Sequence, residues 1–177
     1  IQIAKAGRLR DAHREVVMLE TPTCYALAVG AAEGETELNA FDNALLHAGI
    51  GNVNLVKVSS IVPPKAAFCP EVALPPGALV PTAYATISGS TPGERLAAAV
   101  GVGLSRDGFG VIMEFHGHCG KEEAEQRVEE MLQAAFEQRR MVLTEMRIRA
   151  VEHTVGRLGA VVAAVVLWYD GGNGGRL

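Results

Sequence analysis

Cysteine is scarce in this chain. Three occur in 177 residues, at Cys24, Cys69 and Cys119, scattered and without a Cys-x-x-Cys pair. A disulfide framework is excluded as the source of stability, and a reducing, cytoplasmic compartment is the expectation. Charge is modest too, at 20% of residues with a net of -4 and a pI near 5.7. That balance excludes the basic footprint of a nucleic-acid partner. Long apolar runs are missing. The longest, "GAVVAAVVLWY" from Gly159 to Tyr169, falls well short of the roughly 20 residues that a membrane-spanning helix needs. The N-terminal "IQIAKAGRLRDAHR" is polar and basic rather than signal-like. Its first residue is Ile rather than Met, which leaves the native start open. Two catalytic motifs are absent as well. No Gly-x-Ser-x-Gly elbow occurs, and "VGVGLS" is a poor substitute for a dinucleotide-binding glycine loop.

What is present is material for a core. Hydrophobic residues make up 49% of the chain, enough for one folded domain. Residues 1–20 read as a polar arm with weak helical character. "CYALAVGAAEG" (24–34) reads as a strand, and "TELNAFDNALLHAG" (36–49) as a helix with Thr36 as N-cap and Gly49 as its stop. Leu38, Phe41, Leu45 and Ala48 recur at helical spacing, which puts Asp42 on or beside the apolar face. "NVNLVKVSSIVPPK" (52–65) starts as a strand and breaks off at Ser59-Ser60, just before Pro63-Pro64. A proline-rich connection over 62–77 follows, suited to a surface path.

Farther on, 78–90 reads as a strand interrupted by Pro81, which predicts an edge or a bend. The segment 92–105 reads as a short helix weakened by two glycines. A strand over 109–119, a helix over 121–140 and two closing strands over 142–155 and 158–169 complete the pattern. The long helix has an apolar stripe of Ala124, Val128, Met131, Leu132, Ala135 and Phe136, with acids leading and arginines ending it. The order is that of an α/β or α+β layered domain.

The chemistry-bearing residues give several readings. Strand alternation puts Glu114, His116 and His118 on one face, with Cys119 next to them. No second cluster completes a tetrahedral metal site, so a solvated strand end is the simpler reading and no metal is expected. Lys57 is the one lysine in a strongly patterned strand, where pyridoxal phosphate would need its amine, but no phosphate cradle accompanies it. Taken alone, Asp42 and Glu114 read as paired or capping acids. Local composition alone makes the serine pair a polar strand end.

The segments as a set resemble the pyruvoyl-dependent arginine decarboxylase family. The resemblance is carried by "EGETELNAFDNALLHAGIGNVNLVKVSSIVPP" (33–64), "GALVPTAYATISGSTPGE" (77–94), "VIMEFHGHC" (111–119) and "VEHTVGRLGAVVAAVVLWY" (151–169). It covers nearly everything from Thr21 to Tyr169. It implies an α+β fold, a four-layer αββα sandwich, assembled as a trimer of αβ units with active sites between neighbours. It further implies an N-terminal arm over 1–20, a decarboxylase domain over 21–170 and a tail over 171–177.

By the same resemblance, Ser59-Ser60 is a self-cleavage site. The Ser60 hydroxyl attacks the Ser59 carbonyl, leaving a β chain (1–59) and an α chain (60–177) that begins with a pyruvoyl group. A strained, exposed turn is expected there. That covalent group is the implied cofactor, an electron sink for decarboxylating arginine to agmatine and CO2. The catalytic residues implied are Ser60, Asn54 beside the group, and Glu114 as the proton donor, its pKa raised by burial. Asp42 is implied as the acid that receives the guanidinium. Leu38, Gly51, Val53, Ser59 and Ile61 are implied to line the substrate pocket. His47 departs from the family, where a small polar residue is expected, and His116 and His118 have no place in the motif. Asp42 favours a cationic substrate without choosing among arginine, lysine and histidine. A decarboxylase of another amino acid such as histidine, or an uncleaved non-catalytic oligomer, stays open at this point.

Overall fold

The β-branched run near the C-terminus becomes the middle of a sheet. In the computed structural model, which describes residues 20–106 and 108–169, this run forms a strand over Gly159–Trp168, buried along nearly its whole length. The predicted arm, apart from Glu20, and the predicted tail lie outside the described residues. In chain order the elements are β1 (Cys24–Glu33), α1 (Glu37–His47), β2 (Asn54–Lys57), β3 (Ile61–Val62), β4 (Ala67–Phe68), β5 (Leu79–Gly89), β6 (Arg95–Leu104), β7 (Gly110–Gly117), α2 (Lys121–Arg139), β8 (Glu145–Thr154) and β9 (Gly159–Trp168). They build a five-stranded sheet ordered β2-β5-β9-β1-β4 and a four-stranded sheet ordered β3-β7-β6-β8.

The two sheets face each other across a core that includes Tyr25, Leu27, Leu96, Val100, Ile112, Val161 and Val165. Helix α1 covers the outer face of the five-stranded sheet, with Ala40, Ala44 and Leu45 against Val162, Ala164 and Val166. Helix α2 covers the outer face of the other, with Ala124, Val128 and Leu132 against Ala97, Ala99 and Ala150. The protein is thus a mixed α+β fold with the layer order helix, sheet, sheet, helix.

Three local readings need correction. Residues 92–105 do not form a helix. Arg95–Leu104 is β6, paired with β7 on one side and β8 on the other. The glycines that looked like helix weakeners are contact points for α2. A Cβ on Gly101 would lie 2.5 Å from Val128 Cγ1, and one on Gly103 would lie 2.7 Å from the Phe136 ring. Pro81 marks neither a sheet edge nor a break, because β5 runs through it between β2 and β9. The β5–β9 ladder starts at Thr82, one residue later. On the other side, the bonds from Asn54 and Val58 N–H go to Ala78 and Thr82 carbonyls, so the missing Pro81 N–H is not needed. The connection over 62–77 also contains the two-residue β4, which pairs in parallel with the start of β1.

Helix α1 is capped as its sequence predicts. The Thr36 side chain accepts a bond from Asn39 N–H. At the other end Gly49 takes φ +79, with Gly49 N–H bonded to Leu46 O and Ile50 N–H to Leu45 O, a closure that buries Leu45 and Ile50 together. The rotation of the helix differs from the expectation. Its buried stripe runs through Ala40 and Ala44, because Gly30 lets the helix sit directly on β1; a Cβ there would lie 2.1 Å from Ala44 O. Leu38 is therefore turned outward, 73% exposed, and Asp42 shares that open face.

Candidate active site

The serine pair lies where the chain crosses from one sheet to the other. Strand β2 is an edge of the five-stranded sheet and β3 an edge of the four-stranded one, so residues 58–60 must bridge them. Val58 N–H still bonds to Thr82 O in the first sheet. Ser60 carbonyl oxygen already accepts from Ile112 N–H in the second, at 2.9 Å. Between these anchors Ser59 is exposed and Ser60 half-buried.

Strand β7 brings Glu114 to this crossing. Ile112 faces the inter-sheet core, and alternation puts Glu114 two residues farther along the same face. Ser60 Oγ donates toward Glu114 Oε2 at 3.4 Å. Burial holds the Glu114 carboxyl above its ordinary value, while the charge of Lys57 and the Ser60 hydroxyl pull it back. Lys57 is placed by its own contacts: Nζ donates to Tyr84 O at 3.2 Å and lies 4.7 Å from the Tyr84 ring centre. The sequence raised Lys57 only as a cofactor lysine; its position gives it an electrostatic part instead.

The backbone at Ser59-Ser60 is not strained in the way expected. Neither residue has a positive φ. Ile61 N–H instead bonds back to Ser59 O at 2.9 Å, closing a three-residue turn with Ser60 in the middle. No reading of residue types reveals this bond or the one from Ile112, since both donors are backbone groups.

The other implied residues form a second group. Gly51 packs against the last turn of α1, where a Cβ would lie 2.7 Å from Leu46 N. Val53 packs partly into the core beneath α1. Asn54 opens β2 and donates from Nδ2 to Gly77 O at 2.9 Å. Leu38 and Asp42 stand exposed on α1. No hydrogen bond joins this group to Ser60 among the described residues. Asn54 and Ser60 are separated by near-extended chain that spans up to about 20 Å. Ile61, by contrast, sits directly at the crossing, 39% exposed.

Two of the three unplaced histidines have local partners. His47 Nδ1 lies 2.8 Å from Ala31 O on the free edge of β1, alongside Arg149, which donates to Leu27 O at 2.8 Å. Together they occupy carbonyls that a further strand would otherwise claim. His118 Nδ1 pairs with Glu94 Oε2 at 3.2 Å. His116 is exposed beyond Glu114 on β7. Among the described residues no three His, Cys, Asp or Glu side chains converge as a metal site, and no helix is long and apolar enough to cross a membrane.

Comparison with known proteins sets the class first. A family model described as pyruvoyl-dependent arginine decarboxylase matches residues 24–171, which places the chain among enzymes that carry a covalent pyruvoyl group. A pyruvoyl-dependent arginine decarboxylase of Methanocaldococcus jannaschii is 52% identical over 150 residues, covering 84% of this chain and 91% of the relative. Those of Pyrococcus abyssi and Thermococcus kodakarensis are 47% and 45% identical, each covering 84% of this chain and 96% of the relative. A solved structure of pyruvoyl-dependent histidine decarboxylase aligns with a TM-score of 0.44 at 14% identity, over 51% of each chain. The chain belongs to the pyruvoyl-dependent arginine decarboxylase family.

Proposed function

We propose that this protein decarboxylates L-arginine to agmatine and CO2, with a pyruvoyl group made from Ser60 by self-cleavage after Ser59. The observation that carries this reading is the half-buried Ser60 hydroxyl directed at Glu114 where the chain passes between the sheets, in a chain of this family. The surroundings of position 60 fit such a group. Its carbonyl, which the group retains, is already held by Ile112 N–H, and the hydroxyl that processing consumes lies beside the carboxyl. Once formed, the group supplies an electron sink for the bond to the departing carboxylate.

The chain's own residues then divide the work. Glu114 holds a proton on its half-buried carboxyl and delivers it to the substrate carbon after CO2 leaves. Asp42 pairs with the guanidinium. Asn54, with one amide hydrogen committed to Gly77, keeps its second hydrogen and its oxygen for the pyruvoyl side. No hydrogen bond joins Asp42 or Asn54 to Ser60 among the described residues, and the site is read as completed between copies in a trimer of αβ units. The exposed apolar residues suit such an interface: Leu38 and Leu46 flank Asp42 on α1, Leu79 pairs with Asn54 and is 70% exposed, and Ile61 adjoins Ser60.

Intact mass under denaturing conditions tests the processing. The parent protein is expected as two chains split between Ser59 and Ser60, and Ser60→Ala as one. Splitting of Ser60→Ala at that bond would refute the serine mechanism. CO2 release from arginine, but not from lysine or histidine, tests the substrate, and sedimentation tests the trimer.

A further inference from the structure

We propose that the peptide N–H of Ile61 is the oxyanion donor for the cleavage between Ser59 and Ser60. The inference rests on the self-processing read above and adds the group that makes the Ser59 carbonyl attackable. Two backbone bonds fix the turn at Ser60, and the hydroxyl lies beside Glu114. Its carbonyl accepts from Ile112 N–H at 2.9 Å, its hydroxyl points to Glu114 at 3.4 Å, and the carbonyl before it accepts from Ile61 N–H at 2.9 Å. This last acceptor is the carbonyl that the Ser60 hydroxyl must attack. Ser60 is absent from the residues with positive φ, so the turn is of the inverse γ type, an ordinary conformation at a strand boundary.

The donor is also free for the task. In β3 the Ile61–Val111 and Val62–Gly110 register, together with the Ile112 N–H to Ser60 O bond, puts the even-numbered amides toward β7. Ile61 N–H therefore points away from the ladder and serves only the Ser59 oxygen. A donor already aimed at the oxygen needs no reorganisation when charge develops there.

The chemistry balances without an oxidant or reductant. Ser60 Oγ bonds to the Ser59 carbon, whose oxygen takes up negative charge facing Ile61 N–H. The Ser59–Ser60 C–N bond breaks, the hydroxyl proton passes to the released amine, and an ester remains. Loss of the Ser60 Cα proton then breaks the Cβ–O bond, leaving the Ser59 carboxylate and a dehydroalanine. One water enters and one ammonia leaves to give the pyruvoyl group.

The test replaces single amides by esters, using α-hydroxy acids at position 61 or position 62 in the full chain. Hydroxylamine capture of the ester intermediate, read by intact mass, gives the rate of the first step apart from the later elimination. With the ester at 61, capture is expected to slow by about 10²-fold, the usual effect of removing one oxyanion donor. With the ester at 62, which removes an amide facing β7, capture stays near the parent rate. Equal rates for the ester at 61 and the parent would overturn the role of Ile61, as would equal slowing by both esters. In Ser60→Ala protein, which retains the peptide bond, the infrared stretch of a 13C-labelled Ser59 carbonyl reads the same contact. It should rise when position 61 carries the ester, and an unchanged stretch also overturns the proposal. A parent protein that never splits at this bond would instead refute the self-processing reading itself.

Discussion

Glu114→Gln removes the proposed proton donor while keeping the shape of the side chain. Its contact with Ser60 Oγ is long, at 3.4 Å, and such bonds contribute little to position. Processing and substrate binding should therefore survive. Turnover should not, because a Gln amide is far too weak an acid to deliver a proton; a general acid contributes about 10²–10⁴-fold, so kcat is expected to fall within that range with KM little changed. The pH dependence follows from the direction of the carboxyl's shift. Burial raises Glu114 above its ordinary value of 4.5, so the acid keeps its proton to a higher pH than a free carboxyl. The parent kcat should decline as pH rises through that raised value, and Glu114→Gln should lose this limb. The stability sign agrees. A folded-state pKa above the unfolded one favours the fold fully below the ordinary value, and this contribution is lost as pH rises through the raised one. Glu114→Gln should accordingly be at least as stable as the parent at neutral pH. The proposed self-cleavage would consume the Ser60 hydroxyl, one of the two influences that pull this carboxyl down. The assay is single-turnover CO2 release on fully cleaved protein across pH. Parent kcat in Glu114→Gln would refute the assignment, and His116, on the same strand face, would be the next donor to examine.

Asp42→Asn should lower kcat/KM for arginine by roughly 10- to 100-fold, the loss of a charge-assisted bond of about 1.5–3 kcal/mol, measured by steady-state CO2 release. Glu33→Gln should lower the Tm at neutral pH. Its carboxylate accepts from the N–H groups of Gly156, Arg157 and Leu158 and lies 2.7 Å from His153 Nε2, contacts that hold it down to about 2. Since that value is depressed, the stabilisation is present above the ordinary 4.5 and is lost as pH falls toward 2, so the gap between parent and variant melts should close with acid. Gly30→Ala should cost about 1–3 kcal/mol in urea denaturation and weaken arginine recognition as well, because its methyl group would push α1, which carries Asp42, off the sheet.

Much of the fold is legible in periodicity, and the failures have physical causes. Helix α1 announces itself through Thr36 and Gly49, and α2 through its stripe and charge order. The orientation of α1 is hidden because two of its three buried residues, Ala40 and Ala44, are alanines, which carry less hydrophobic signal than the exposed Leu38 and Leu46. Strand β6 hides for a related reason. "RLAAAVGVGL" has little β-propensity, and its alanines and glycines are selected by the close approach of α2 on one face and the opposite sheet on the other. The serine pair is legible only through resemblance; no local pattern distinguishes it from a polar strand end. Glu33 raised no expectation, since a chain of backbone donors from a distant turn leaves no mark on the residue itself.

The crossing at Ser59-Ser60 has a consequence for how the molecule is made. The first 59 residues contribute β1 and β2, and β1 lies inside a sheet, with all ten of its residues in register with β9 from the far end of the chain. The proposed cut after Ser59 would sever a connector and leave that pairing in place, so the two fragments would stay joined as strands of one sheet. The uncut chain folds as one molecule at a rate independent of concentration. Once cut and unfolded, the pieces must find each other again, so recovery becomes second order and slows on dilution. On the proposed self-cleavage, the peptide bond at 59–60 would serve as a tether during folding.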